Sequence, residues 1–186
     1  MGHISASIAQ KHQKPRFLIQ DLASVVSEGK TSIESEVGSV KSRISFMEHN
    51  FWDPQTVTAD VYFMRMVMHD WSDEGCIKIL KNIIPKMKEN TRIVIVDAVL
   101  PDANTIPMVY EKLQRYVSSS YLLGEWAADL TQNRTMDLSM MTLVGGKERS
   151  GQEWELLMQK ADPRLKIVKV SLPPGSQFGL IEVALD

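Results

Sequence analysis

The residues best suited to chemistry in this chain are a histidine and four acids, most of them at the ends of apolar runs. His69 and Asp70 close the run that begins at Ala59 (ADVYFMRMVMHDW), and Ser72 behind them suits a helix N-cap. An imidazole with an ordinary pKa of about 6.5 takes up a proton near neutral pH. Asp97 ends RIVIVD, where burying a carboxylate is costly unless it is paired, and a nearby histidine is a natural partner. Glu148 lies in GGKERS, in the loop before a helix start. Asp21 follows RFLIQ, and an acid at the end of the second strand of a nucleotide-binding sheet takes ribose hydroxyls. An N-cap for a helix over Leu22 to Ser27 is an equally good use of Asp21. Spacing alone leaves His69, Asp97 and Glu148 as an ordinary histidine and two unrelated acids.

The elements that must position these groups have an α/β pattern. Ala59 to Met64 suits a strand buried on both faces, and Ile77, Leu80, Ile83, Ile84 and Met87 recur at helical spacing after Asp73 and Glu74. His69, Asp70 and Trp71 therefore fall at the carboxyl edge of a sheet, where ligands bind in open α/β folds. Arg92 to Leu100 is a second buried strand. Upstream, Ile4, Ile8 and Ala9 predict a short helix with almost no cap, Arg16 to Gln20 a strand, Glu28 to Val40 a loop, and Arg43 to Glu48 a strand. Downstream, Thr135 to Leu143 is helical, with Met136, Met140 and Met141 serving as core or as substrate contacts. Ser150 and Glu153 form a capping box for a helix through Trp154, Leu157 and Met158 to about Lys160. Leu165 to Leu172 and Phe178 to Leu185 flank Pro173, Pro174 and Gly175 as a hairpin. The expected fold is α/β, a parallel sheet finished by an antiparallel hairpin.

Composition narrows the function. At 186 residues the chain suits one domain, and its hydrophobic content of 44% is that of a globular protein. A net charge of -2 offers no basic excess for phosphates, which argues against nucleic acid as a partner. The one cysteine, Cys76, cannot form an internal disulfide, so a reducing, cytoplasmic setting is expected. No apolar run reaches membrane-spanning length, and the start lacks a signal-peptide pattern. His3, His12 and His49 read as surface or loop residues, and no metal-ligand cluster is apparent.

Three motifs in order, MRMVMHDWSDEGCIKILKNIIPKM, RIVIVDAVLPD and GGKERSGQEWELL, closely resemble the catalytic half of plant and fungal small-molecule O-methyltransferases that use S-adenosylmethionine. The resemblance runs from about Gly2 to Leu185. It implies a Rossmann-like class I methyltransferase sheet, a small aromatic hydroxyl-bearing acceptor, and His69 as general base bracketed by Asp97 and Glu148. It also implies that Asp21 binds the cofactor ribose, that Asn50 and Phe51 hold the adenine, that Arg65 packs near the adenine, and that Gly2 is what remains of a Gly-rich loop. Asp70 and Trp71 would fix the strand-to-helix turn. Asn50 stands where the family has an acid.

The chain departs from the family in other ways. The Gly-rich loop and the first, central strand are missing from the pattern, as is the N-terminal helical dimerisation domain, so residues 1–186 read as a single partial catalytic domain with impaired cofactor binding. Tyr116 to Gln132 has no family counterpart and is either a surface insertion or translated intron sequence. Without the central strand, the strands ending at Asp21 and starting near Ala59 must pair directly, leave a slot, or loosen roughly the first 50 residues, because buried unpaired backbone groups are costly. The slot or the loosening is the expectation. Two classes of function stay open: an O-methyltransferase domain, completed as a homo- or hetero-oligomer, or a non-methylating relative acting as a partner protein or a cofactor-free cyclase or dehydratase.

Overall fold

Helix α1 (His3–Lys11) opens the chain, of which this computed structural model describes residues 2–33, 38–100, 145–173, 176 and 178–186. The expected insertion at 116–132 and the methionine-rich stretch at 135–143 lie outside the described residues. The chain divides into two compact units, Met1–Pro54 and Gln55–Asp186.

In the first unit, α1 begins at Gly2 with φ 82 and no side-chain cap, and it buries Ala6 and Ala9. Strands β1 (Phe17–Asp21) and β2 (Ile44–Glu48) are parallel, in register from Phe17 opposite Ile44 to Asp21 opposite Glu48. Their carboxyl ends therefore emerge at one edge. Helix α2 (Ala23–Ile33) runs well past Ser27, through residues whose Gly and Ser content predicts a loop. Packing is the cause. Val26, Gly29 and Ile33 share the buried face of α2, and a Cβ on Gly29 would lie 2.5 Å from the Phe46 ring. Gly29 is thus a contact that lets helix and strand approach, worth more here than its poor helix propensity costs. Ala6, Ala9, Ile33, Val40 and Ile44 form the core with Phe17, Ile19 and Phe46. Arg43 ties the end of α1 down, donating to the carbonyls of Ala9 (2.5 Å), His12 (2.7 Å) and Ser39 (2.9 Å). Those carbonyls lack helical partners, and a cation suits them.

In the second unit, β3 (Val61–Arg65), β4 (Arg92–Asp97), β7 (Leu165–Ser171) and β8 (Gly179–Leu185) form a sheet ordered β3-β4-β8-β7. β3 runs parallel to β4, and β8 lies antiparallel between β4 and β7, giving the expected hairpin. Ile93 and Ile95 of β4 sit opposite Val183 and Ile181 of β8, all fully buried. Each such side chain contributes roughly 1.5–3 kcal/mol. The stretch from Arg92 to Leu100 is two strands instead of one. It breaks at Ala98, whose carbonyl accepts from Trp154 Nε1 at 3.3 Å, and β5 (Val99–Leu100) then pairs with β6 (Arg149–Ser150).

Strand β3 is also not buried on both faces: Tyr62 is buried, but Val61 and Phe63 are 51% and 47% exposed. Its one strand partner among the described residues is β4, so it is a sheet edge. Among the described residues β1 likewise has β2 as its one strand partner. Ser72 caps helix α3 (Asp73–Ile83), accepting from Gly75 N at 3.4 Å. Its buried face is Cys76, Ile79, Leu80 and Ile83; Ile77 is half-buried, as are Ile84 and Met87, which fall beyond Ile83, where Pro85 ends the regular helix. Helix α4 (Gly151–Ala161) begins at the Ser150–Glu153 capping box, buries Trp154, Leu157 and Met158, and packs on α3 and β7. Among the described residues no helix is long and apolar enough to cross a membrane.

Candidate active site

Beyond β3 the chain turns sharply. Met66 adopts φ 53, a left-handed conformation uncommon outside glycine, while its N–H still bonds Val96 O at 3.0 Å. A single 3-10 turn, Met68–Asp70, follows and carries His69. His69 is 3% exposed. Its Nδ1–H donates to Glu148 Oε1 at 3.0 Å, the tautomer that a carboxylate partner selects. Asp97, at the end of β4, is fully buried; its Oδ2 accepts from Met68 N at 3.2 Å, and its Oδ1 has no hydrogen-bond partner among the described residues. Glu148 lies just before β6. The carboxyl ends of β3 and β4 and the entry to β6 thus bring His69, Asp97 and Glu148 into one buried cluster.

Each charge in this cluster biases the others. The hydrogen bond to Glu148 holds the His69 pKa above its ordinary value against the opposing effect of burial, and the charges of Asp97, Glu148 and Asp70 add to the rise. Burial pushes Asp97 up to about 7, with Glu148 adding to the rise while His69, the Met68 N–H and Arg149 oppose it. With Nδ1 committed to Glu148, the remaining ring nitrogen, Nε2, keeps a lone pair when the ring is neutral. Asp70 Oδ1 lies 3.4 Å from it. The arrangement can accept a proton at Nε2 and stabilise the resulting imidazolium from three sides, as an acidic partner does for a catalytic histidine in hydrolases.

Two residues that shape the cluster escape the sequence reading. Arg149 is fully buried and donates to Met68 O (3.1 Å), Trp71 O (2.9 Å), Lys147 O (3.2 Å) and Asp73 Oδ1 (2.9 and 3.0 Å), with its guanidinium 5.4 Å from the centre of the Trp154 ring. It therefore joins the turn bearing His69 to the loop bearing Glu148. Gly146 packs so closely on that turn that a Cβ built on it would overlap the carbonyl of His69. Two adjacent glycines before the charged run were the available signal, since one, Gly145, meets a left-handed backbone at φ 72 and the other a close approach.

The expected cofactor residues occupy different surroundings. In the first unit, Asp21 is the last residue of β1 and Asn50 lies two residues beyond the end of its partner β2. Asp21 Oδ1 accepts from Leu22 N at 2.8 Å, a contact with the adjacent residue and not the expected N-cap bond, since α2 begins only at Ala23. Asn50 Oδ1 accepts from Trp52 N at 3.0 Å, so its amide offers chiefly N–H donors outward, suited to a ring nitrogen of adenine more than to its amino group. Phe51 is 38% exposed, edge-on to Trp52 at 5.2 Å. At Gly2 an added Cβ would lie 2.9 Å from Ile19 Cδ1. A polar edge with an acid, an amide and an exposed ring fits a nucleoside. Arg65, in the second unit, has its guanidinium 5.7 Å from the centre of the Phe178 ring.

Residues 1–162 match the model of the O-methyltransferase domain family. The chain is 35% identical over 187 residues to the O-methyltransferase aoiF of Aspergillus oryzae, which covers 99% of this chain and 40% of that relative. The solved structure of LepI in complex with SAM superposes with a TM-score of 0.75 at 26% identity, over 100% of this chain and 40% of that one. A structure described as a pericyclic reaction enzyme gives the same TM-score, identity and coverage. The fold is that of a Rossmann-like class I methyltransferase with its antiparallel hairpin, and the chain spans about 40% of the length of the relative it matches.

Proposed function

The chain belongs to the O-methyltransferase domain family, and on that premise we propose that it methylates a hydroxyl of a small aromatic molecule with His69 as general base. The observation that carries this reading is the buried Nδ1 contact to Glu148, which leaves Nε2 as the proton acceptor. When bound, S-adenosylmethionine supplies an electrophilic methyl group. Asp21 would bind its ribose hydroxyls, and Asn50 and Phe51 its adenine, with Gly2 as the remnant of the loop that takes its methionine part. The acceptor hydroxyl gives its proton to Nε2 as its oxygen becomes nucleophilic; Glu148 and Asp97 hold the ring in orientation and stabilise its cationic form. A phenol pKa near 10 makes such a base worth roughly a hundredfold or more. Residues 1–186 would act as part of one catalytic domain.

His69→Gln is the test. Methylation should fall by roughly a hundredfold while calorimetric affinity for S-adenosylhomocysteine stays unchanged, because a base acts in the transition state. Unaltered turnover would remove His69 from the mechanism. The likeness to a pericyclic reaction enzyme favours a second reading, in which the same cluster serves a cofactor-free cyclisation or dehydration. Mass analysis of products separates the two, since methylation alone adds a methyl group.

A further inference from the structure

A buried base must return its proton to water before it can act again, and the His69 side chain is 4% exposed. Of the groups around it, Glu148 has a fully buried side chain and Asp97 is fully buried, so neither can hand a proton to solvent. Asp70 differs from both. Its Oδ1 lies 3.4 Å from Nε2, the nitrogen that Glu148 does not occupy, and its side chain is 42% exposed. Both residues sit on one 3-10 turn, closed by Asp70 N to Val67 O and Trp71 N to Met68 O, each at 3.3 Å, and Gly146 packs against the backbone of both. The pairing is therefore built into the backbone.

We propose that Asp70 is the proton port of His69, the group through which the Nε2 proton passes to water. It rests on the reading of His69 as the base and adds the step after methyl transfer. The N–H bond at Nε2 breaks, the lone pair returns to the nitrogen, and the proton moves to Asp70 Oδ1, directly or across one bridging water, and then to bulk solvent. Asp70 is a positioning and relay group and touches no reacting carbon.

Exchange of the Nε2 proton with water can be measured by nitrogen-resolved NMR on the full chain, at a pH giving equal imidazolium fractions in each variant. Asp70→Asn keeps the shape but cannot be protonated at ordinary pH; it should slow exchange at least tenfold, and Asp70→Glu should restore most of the rate. A persisting Nδ1–H signal from the Glu148 bond shows that the site has stayed folded. An Asp70→Asn rate equal to wild type would mean that the ring exchanges by local opening, and would overturn the proposal whatever His69→Gln does to methylation. Slowed exchange together with methylation indifferent to His69→Gln would instead sink the general-base reading and leave the relay standing.

Discussion

Each unit of this protein is tied together by one arginine that gathers main-chain carbonyls, and the two arginines work in opposite surroundings. Arg43, half-buried, closes the end of α1 by bonding Ala9, His12 and Ser39. Arg149, fully buried, bonds Met68, Trp71 and Lys147 and is neutralised by Asp73, whose side chain is 38% exposed. Water can replace the first set of bonds, but it reaches the second only from its Asp73 end, because Arg149 itself is fully buried. The same side chain is therefore a local cap in one unit and, in the other, the link between two segments that carry chemistry.

The contrast is sharpest if Arg149→Ala costs about 3–5 kcal/mol in urea unfolding, because the carbonyls of Met68, Trp71 and Lys147 all lose a donor that is fully buried, at roughly 1–3 kcal/mol for each one left unsatisfied. A loss below about 1 kcal/mol would make the two arginines equivalent. Next in size is the pH response of Asp97. Its folded pKa is raised from 3.8 to about 7, so between those values the native state holds a proton that the unfolded state has released, and stability falls as pH rises. At about 1.4 kcal/mol per unit, Asp97→Asn should be more stable than wild type at pH 8 by at most roughly 4 kcal/mol and about equal to it at pH 4. His69 slopes the same way: with its pKa raised, its contribution is complete below the unfolded value and is lost as pH rises through the folded one. Some slope should therefore remain in Asp97→Asn, and a flat profile would mean that the His69–Glu148 bond contributes nothing.

Arg43→Ala should cost only about 1 kcal/mol, because solvent takes over the freed carbonyls. A loss as large as that for Arg149 would erase the distinction between the units. The smallest effect on stability belongs to Asp21→Asn, within about 0.5 kcal/mol in thermal melts, with a loss of about tenfold in affinity for S-adenosylhomocysteine by calorimetry. Unchanged affinity would leave Asp21 as a turn residue alone.

What sequence could disclose follows the range of the interactions. The caps at Ser72 and Ser150 span three residues and were legible, as was the hairpin around Pro173. The motif match, and not the spacing, pointed to His69 and Glu148, which lie 79 positions apart. Arg149 stayed hidden because a charged residue is by default a surface residue, and its partners at Met68, Trp71 and Asp73 are 76 to 81 positions away. Gly29 misled for a related reason: a glycine reads as a loop unless the Phe46 ring it makes room for is known. Asp70 was assigned to the turn alone, since sequence adjacency to His69 does not reveal that the two side chains face each other.

The place of β8 in the sheet has a consequence for the time course of folding. Residues 179–185 insert between β4 and β7, so β4 gains its second neighbour only from a segment synthesised more than 80 positions later. Non-local pairing of this kind is slow, because the loop must close before any contact rewards it. On the ribosome, β4, with Asp97 at its tip, must therefore wait with one edge unpaired until β8 has emerged. During that interval the segment from Ile93 to Val96 is apolar, strand-forming and open, a window in which chaperone capture or aggregation competes with folding.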